Sequence, residues 1–229
     1  MRSIHTRTGA AAARVLLFQP AIANEWSYSG GTGPEHWGGV TPACERGRMQ
    51  SPIDLDDADV VADIPVFVDY TPGEVQVRNL GSTIQADFSG GSYLVSSGKV
   101  FELVQVHFHT PSEHTILGES FPLVAHFVHA SGAGELAVLG ILFEAGDENE
   151  ALQLLIDAAP GSADDDQGNA MLDARELVPD ELEVYRYMGS LTTPPCSEGV
   201  NWHVAEATLE ASEEQIEALT NSWATTPGR

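Results

Sequence analysis

Short apolar runs separated by turn residues dominate the chain. Apolar or alternating stretches occupy residues 60–70, 75–77, 83–88 and 93–95, and three longer ones follow at 103–109, 123–129 and 136–143. Thr71-Pro72-Gly73, Ser89-Gly90-Gly91 and Ser131-Gly132 punctuate them. Such runs, bounded by Gly, Pro and Ser, predict a β-rich fold. Helical periodicity shows in two places. Asn149 is placed to cap residues 150–158, and Ser212 with Gln215 makes a capping box for residues 213–220. Residues 26–39, rich in glycine and aromatics, read as an irregular surface arm. No repeat and no Gly/Ser- or Pro-rich linker interrupts the pattern, which predicts one mainly β (α+β) domain over residues 24–229.

Composition narrows the function classes. A chain of 229 residues that is 42% hydrophobic is long and apolar enough to bury a core. No apolar run approaches the roughly 18 residues of a membrane span. Ten Lys+Arg face 34 Asp+Glu, a net charge of −24, and Lys99 is the only lysine. A surface of that sign repels phosphate backbones, which excludes nucleic acid as a partner. Dense carboxylates also suit a salt-rich setting, although a merely acidic exported protein would look the same.

The charge is unevenly spread. Residues 1–23 hold Arg2, Arg7 and Arg14 and no acid, so the other seven cations face all 34 acids, a net of −27. The same segment runs through Val15-Leu16-Leu17-Phe18 to Ala21-Ile22-Ala23, an A-x-A cleavage pattern. It reads as a signal peptide over residues 1–23, with export to a periplasmic or extracellular space, despite a short apolar core that Arg14 interrupts. Cys44 and Cys196 are the only cysteines. They are either one disulfide, as an oxidising compartment favours, or a pair of buried thiols. Asp164-Asp165-Asp166 lies in an acidic stretch, residues 161–168, that lacks the spaced ligands and distal glutamate of a calcium loop, and reads as solvated.

The chemistry concentrates in Gln105-Val106-His107-Phe108-His109, then Glu113, then His126 and His129. On a strand, residues i and i+2 face the same side, so His107 and His109 project together with Val106 and Phe108 behind them. His126 lies on the following long strand and can be brought alongside. Three imidazoles can occupy three corners of a tetrahedron and leave the fourth to water, the arrangement of a catalytic zinc site. His129, three residues past His126, faces the other way and is excluded. The residues alone leave an alternative open. A cupin-like barrel also offers H-x-H and a nearby glutamate, and would use Glu113 as a fourth ligand to iron or manganese. It also expects a second glycine-bounded motif with a histidine, which is absent after His126.

Further motifs decide between them. Gln50-Ser51-Pro52-Ile53, Ser112-Glu113-His114-Thr115 and Gly189-Ser190-Leu191-Thr192-Thr193-Pro194-Pro195-Cys196 accompany the H-x-H pattern. Trp26-Ser27-Tyr28 and Gly33-Pro34-Glu35-His36-Trp37-Gly38 precede them. In this order, from about residue 25 to about residue 220, they closely resemble an α-class carbonic anhydrase of the exported bacterial type. The resemblance implies a central, twisted, mostly antiparallel sheet with few short peripheral helices. It also implies zinc held by His107, His109 and His126, and hydration of carbon dioxide to bicarbonate and a proton by a zinc-bound hydroxide. Thr192 is then the gatekeeper that donates to Glu113, and Thr193 lies beside the substrate. Val128, Val138, Leu191 and Trp202 form an apolar wall for carbon dioxide. Gln105 is the amide behind one ligand, and the bonds before Pro52 and Pro195 are cis.

Three departures from the family's pattern stand out. Ser82 occupies the place where faster members carry a proton-shuttling histidine, and serine cannot hold a proton near neutral pH. Val124 replaces a glutamate that would accept from the second nitrogen of His126. The closing residues, 225–229, do not match the family's last segment, so a sheet edge or part of the core is expected to be left uncovered. These departures keep a rival in view, a carbonic-anhydrase-like binding or structural module with impaired catalysis.

Overall fold

A computed structural model describes residues 26–56 and 65–222. The leader, the first part of the 60–70 run and the atypical closing residues lie outside the described residues. Fourteen strands are present among those described. The first seven are β1 (Asp54–Leu55), β2 (Val66–Asp69), β3 (Gly73–Asn79), β4 (Ile84–Asp87), β5 (Tyr93–Ser96), β6 (Lys99–His109) and β7 (Thr115–Ile116). Then come β8 (Glu119–Ser120), β9 (Leu123–Ala130), β10 (Leu136–Ala145), β11 (Gly168–Leu172), β12 (Val184–Ser190), β13 (Glu198–Ala205) and β14 (Leu209–Ala211). The helices are α1 (Trp37–Val40), α2 (Ala43–Arg46), α3 (Glu150–Ala158) and α4 (Glu213–Ser222).

An eleven-stranded sheet runs in the order β11-β3-β4-β6-β9-β10-β13-β12, with β5 also on β6, β2 on β5 and β14 on β10. Its pairings are antiparallel except β10 with β13 and with β14, so the sheet is mixed but mostly antiparallel, as expected. All eight residues of β9 are buried, because both faces of the sheet centre are covered. One face carries Val106, Phe108, Phe127, Leu139 and Phe143 against Leu152 and Leu155 of α3 and Leu219 of α4. The opposite face carries Val124, Val128, Val138, Leu142 and Trp202. Alternation along β6 and β9 thus sends Val106 and Phe108 to the first core and the histidines to the second face.

Both predicted helices are present with the predicted caps. Asn149 Oδ1 accepts from Leu152 N at 2.9 Å. Ser212 Oγ accepts from Gln215 N, and Gln215 Oε1 accepts from Ser212 N, both at 3.2 Å, a reciprocal capping box. Gln215 also donates from Nε2 to Asn149 O at 2.8 Å, tying the two helix starts together. The N-terminal arm is more ordered than its composition suggests. Trp37 is buried at the start of α1, its ring edge-on to Trp26 and Tyr28 at 5.3 and 5.8 Å. Its indole N–H donates to Ser27 O, which anchors the arm to itself. Strands β11, β12 and β13 were not predicted from the apolar pattern.

Candidate metal centre

Strands β6 and β9 pair in a register that sets His107 opposite His126 and His109 opposite Val124. His107 and His109 share a face, so three imidazoles meet above the sheet centre. Ring centroids stand 4.9 Å apart for His107 and His109, 5.3 Å for His107 and His126, and 4.9 Å for His109 and His126. One ligand nitrogen from each lies within 4.8 Å of the other two. Among the described residues no other His, Cys, Asp or Glu joins this group. Glu113, the fourth ligand of the cupin alternative, stands beside the group rather than in it. Its Oε2 is 3.5 Å from His109 Nε2 and 3.8 Å from His126 Nδ1.

The donor set fits a divalent cation. His107 Nδ1 donates to Gln105 Oε1 at 2.9 Å, which leaves Nε2 with its lone pair free. His109 Nε2 is buried and has no hydrogen-bond partner. Burial pushes His107 down to about 4 and holds His109 and His126 well below the ordinary histidine range, an effect the neighbouring histidines reinforce for the last two. Three neutral, desolvated imidazoles with converging lone pairs are the chemistry zinc requires. His129 does point the other way: its Nε2 lies 2.8 Å from the Tyr70 hydroxyl.

The loop after β12 closes one side of the centre. Burial pushes the Glu113 carboxyl up to about 7, opposed by a hydrogen bond with the Thr192 hydroxyl. Leu191 N donates to Ser197 O at 3.0 Å, and Cys196 N donates to Thr193 O at 2.9 Å, so the loop is pinned on itself. Cys44 and Cys196 form a disulfide that ties the loop to α2. Val128, Val138 and Trp202 lie in one apolar cluster, with Leu191 packed against it. Ser82 is half-buried in the β3–β4 connection, three residues before Gln85, which pairs opposite His107.

The family model for eukaryotic-type carbonic anhydrase matches residues 32–229. A carbonic anhydrase from Nostoc sp. is 42% identical over 202 residues, covering 83% of this chain and 76% of the relative. One from Neisseria gonorrhoeae is 39% identical over 202 residues, covering 86% and 80%. The solved α-carbonic anhydrase of Photobacterium profundum is 42% identical with a TM-score of 0.83, over 87% of this chain and 92% of that one. The chain belongs to the α-carbonic anhydrase family.

This carbonic anhydrase contains a chain of contacts beside the metal centre that the sequence did not reveal. His114 Nε2 lies 2.6 Å from the Tyr187 hydroxyl, which lies 2.8 Å from Ser51 Oγ. Ser51 N donates to Ser190 Oγ at 2.9 Å, and Ser190 N donates to Ser51 Oγ at 3.1 Å. A Cβ at Gly189 would collide with Ser51 Oγ, so only glycine permits this approach. His114 and Ser51 sit inside quoted motifs, but nothing in their spacing shows that Tyr187 joins them. The peptide bonds before Pro52 and Pro195 are cis, and so is the one before Pro111. Among the described residues no helix is long and apolar enough to cross a membrane.

Proposed function

We propose that this enzyme uses zinc, held by Nε2 of His107, Nε2 of His109 and Nδ1 of His126, to hydrate carbon dioxide reversibly to bicarbonate and a proton. The single observation that carries this reading is the convergence of three imidazoles from β6 and β9, two buried and that of His107 partly buried, with one ligand nitrogen of each within 4.8 Å of the others. When bound there, zinc supplies a Lewis acid and lowers the pKa of coordinated water to about 7, the value characteristic of carbonic anhydrases as a class.

The protein's own groups do the rest. Gln105 holds His107 in the tautomer that presents Nε2. Glu113 accepts from the Thr192 hydroxyl, and a cation beside it favours the ionised, accepting form. Thr192 is left with its oxygen lone pairs as acceptor, so it favours a partner at the centre that carries a proton to donate. Thr193 lies beside the substrate. Val128, Val138, Leu191 and Trp202 give carbon dioxide, which needs no hydrogen bonds, a dry surface against the centre. Ser82 offers no proton carrier near neutral pH, so the released proton leaves with buffer.

The enzyme works outside the cytoplasm, in a periplasmic or extracellular space. The leader-like residues 1–23 and the Cys44–Cys196 disulfide support this. Stopped-flow hydration of carbon dioxide tests the function. Zinc-loaded protein should show sulfonamide-sensitive hydration that His109→Ala abolishes. Stoichiometric zinc without such hydration would favour the binding-module reading.

A further inference from the structure

Besides Nε2 of His109, two buried ring nitrogens beside the metal centre have no partner, Nε2 of His126 and Nδ1 of His114. The residues are 1% and 0% exposed. Their ring centroids lie 6.0 Å apart with planes at 80°. Both rings pack on the Trp202 indole, at 5.0 and 4.7 Å. Val124, on the same face of β9 as His126 and two residues before it, is fully buried and offers no polar atom. Buried polar groups left unpaired in this way are rare and costly.

Counting protons fixes what the two nitrogens need. Ser51 Oγ already accepts from Ser190 N, and Tyr187 is its remaining neighbour, so its hydroxyl proton goes to the Tyr187 oxygen. Tyr187 then donates to His114 Nε2, which leaves the His114 proton on Nδ1. On the reading that His126 binds zinc through Nδ1, its proton sits on Nε2. Two N–H donors therefore have no protein acceptor.

We infer that one buried water molecule accepts from both Nε2–H of His126 and Nδ1–H of His114, and that His114 is thereby a positioning residue for a zinc ligand. A water needs two to four polar partners to reside in an interior, and these two donors supply the first pair. The water stands in for a side-chain acceptor at position 124, so the grip on His126 rests on a neutral molecule.

The test uses the zinc-loaded full chain. Nitrogen-15 NMR of the histidines should show His114 protonated at Nδ1 and bare at Nε2. A crystal structure should show one ordered water within hydrogen-bond distance of both nitrogens. Val124→Glu, which places a charged acceptor there, should displace that water and slow zinc release to a chelator about tenfold or more. Val124→Gln, a neutral acceptor, should give a smaller slowing if the glutamate variant folds poorly. A proton on His114 Nε2, no shared water, or release rates equal to wild type in both variants would overturn the inference. So would release that slows with added chloride, which would put an anion in place of the water. Failure to take up zinc at all would overturn the metal reading itself, whereas zinc uptake with the other tautomer would overturn only the water bridge.

Discussion

Gln105 Oε1 accepts from His107 Nδ1 at 2.9 Å, two residues along the same face of β6. This one contact decides which nitrogen of the first ligand faces the centre. Gln105→Leu removes the acceptor while keeping side-chain bulk. Zinc affinity, measured by competition with a chelator, should fall about 10–100-fold with circular dichroism unchanged. Unaltered affinity would show that another group orients the ring.

Proton release is expected to limit turnover. With serine at position 82, hydration rates should rise with imidazole buffer concentration at fixed pH. Ser82→His should raise the rate in dilute buffer and flatten that dependence. A wild-type rate indifferent to buffer would reveal a different proton carrier.

Acid should destabilise the fold through histidines away from the metal. Burial lowers His129 to about 3, and burial together with Arg186 lowers His203 to about 4. Unfolded, both titrate near 6.5, so between that pH and their folded values the unfolded chain binds more protons. Stability is therefore full above about pH 6.5 and falls as pH drops toward 4 and then 3, by up to about 1.4 kcal/mol per pH unit per histidine. Urea midpoints from pH 7 to 4 should trace this slope, and His203→Gln should remove part of it. An identical slope in the variant would exclude His203 as a source.

How much of this was legible in the sequence follows from which forces are local. Strands β6, β9 and β10 were readable because their long apolar runs are bounded by turns, and α3 and α4 because their caps are a few residues away. The histidines of the candidate metal centre were readable because strand periodicity puts His107 and His109 together and turns His129 away, while His126 lies on the next long apolar run. Strands β12 and β13 were not, although Val200-Asn201-Trp202-His203-Val204 does alternate apolar and polar residues, because Tyr185-Arg186-Tyr187-Met188 mixes aromatic and charged residues and neither makes a long apolar run. Their places are set by pairing with each other and with β10. The His114–Tyr187–Ser51 chain was invisible for the same reason. Its members lie 73 and 136 residues apart along the sequence and meet only by tertiary packing.

The disulfide should contribute substantially to stability, because it spans 152 residues and anchors the loop that carries Thr192 and Thr193. Loop-closure entropy for such a span is worth roughly 4–5 kcal/mol. Cys44→Ser with Cys196→Ser should lower the melting temperature clearly and weaken hydration, whereas an unchanged melting temperature would show that the loop is held without the bond.

The most direct test is zinc-edge X-ray absorption on protein loaded with one equivalent of the metal. The account predicts three imidazole nitrogens at about 2.0–2.1 Å and one further light atom from solvent. It also predicts that replacing any one of His107, His109 or His126 removes one imidazole from that shell. A carboxylate or other protein atom completing the shell, or a shell that survives loss of one of these histidines, would contradict it.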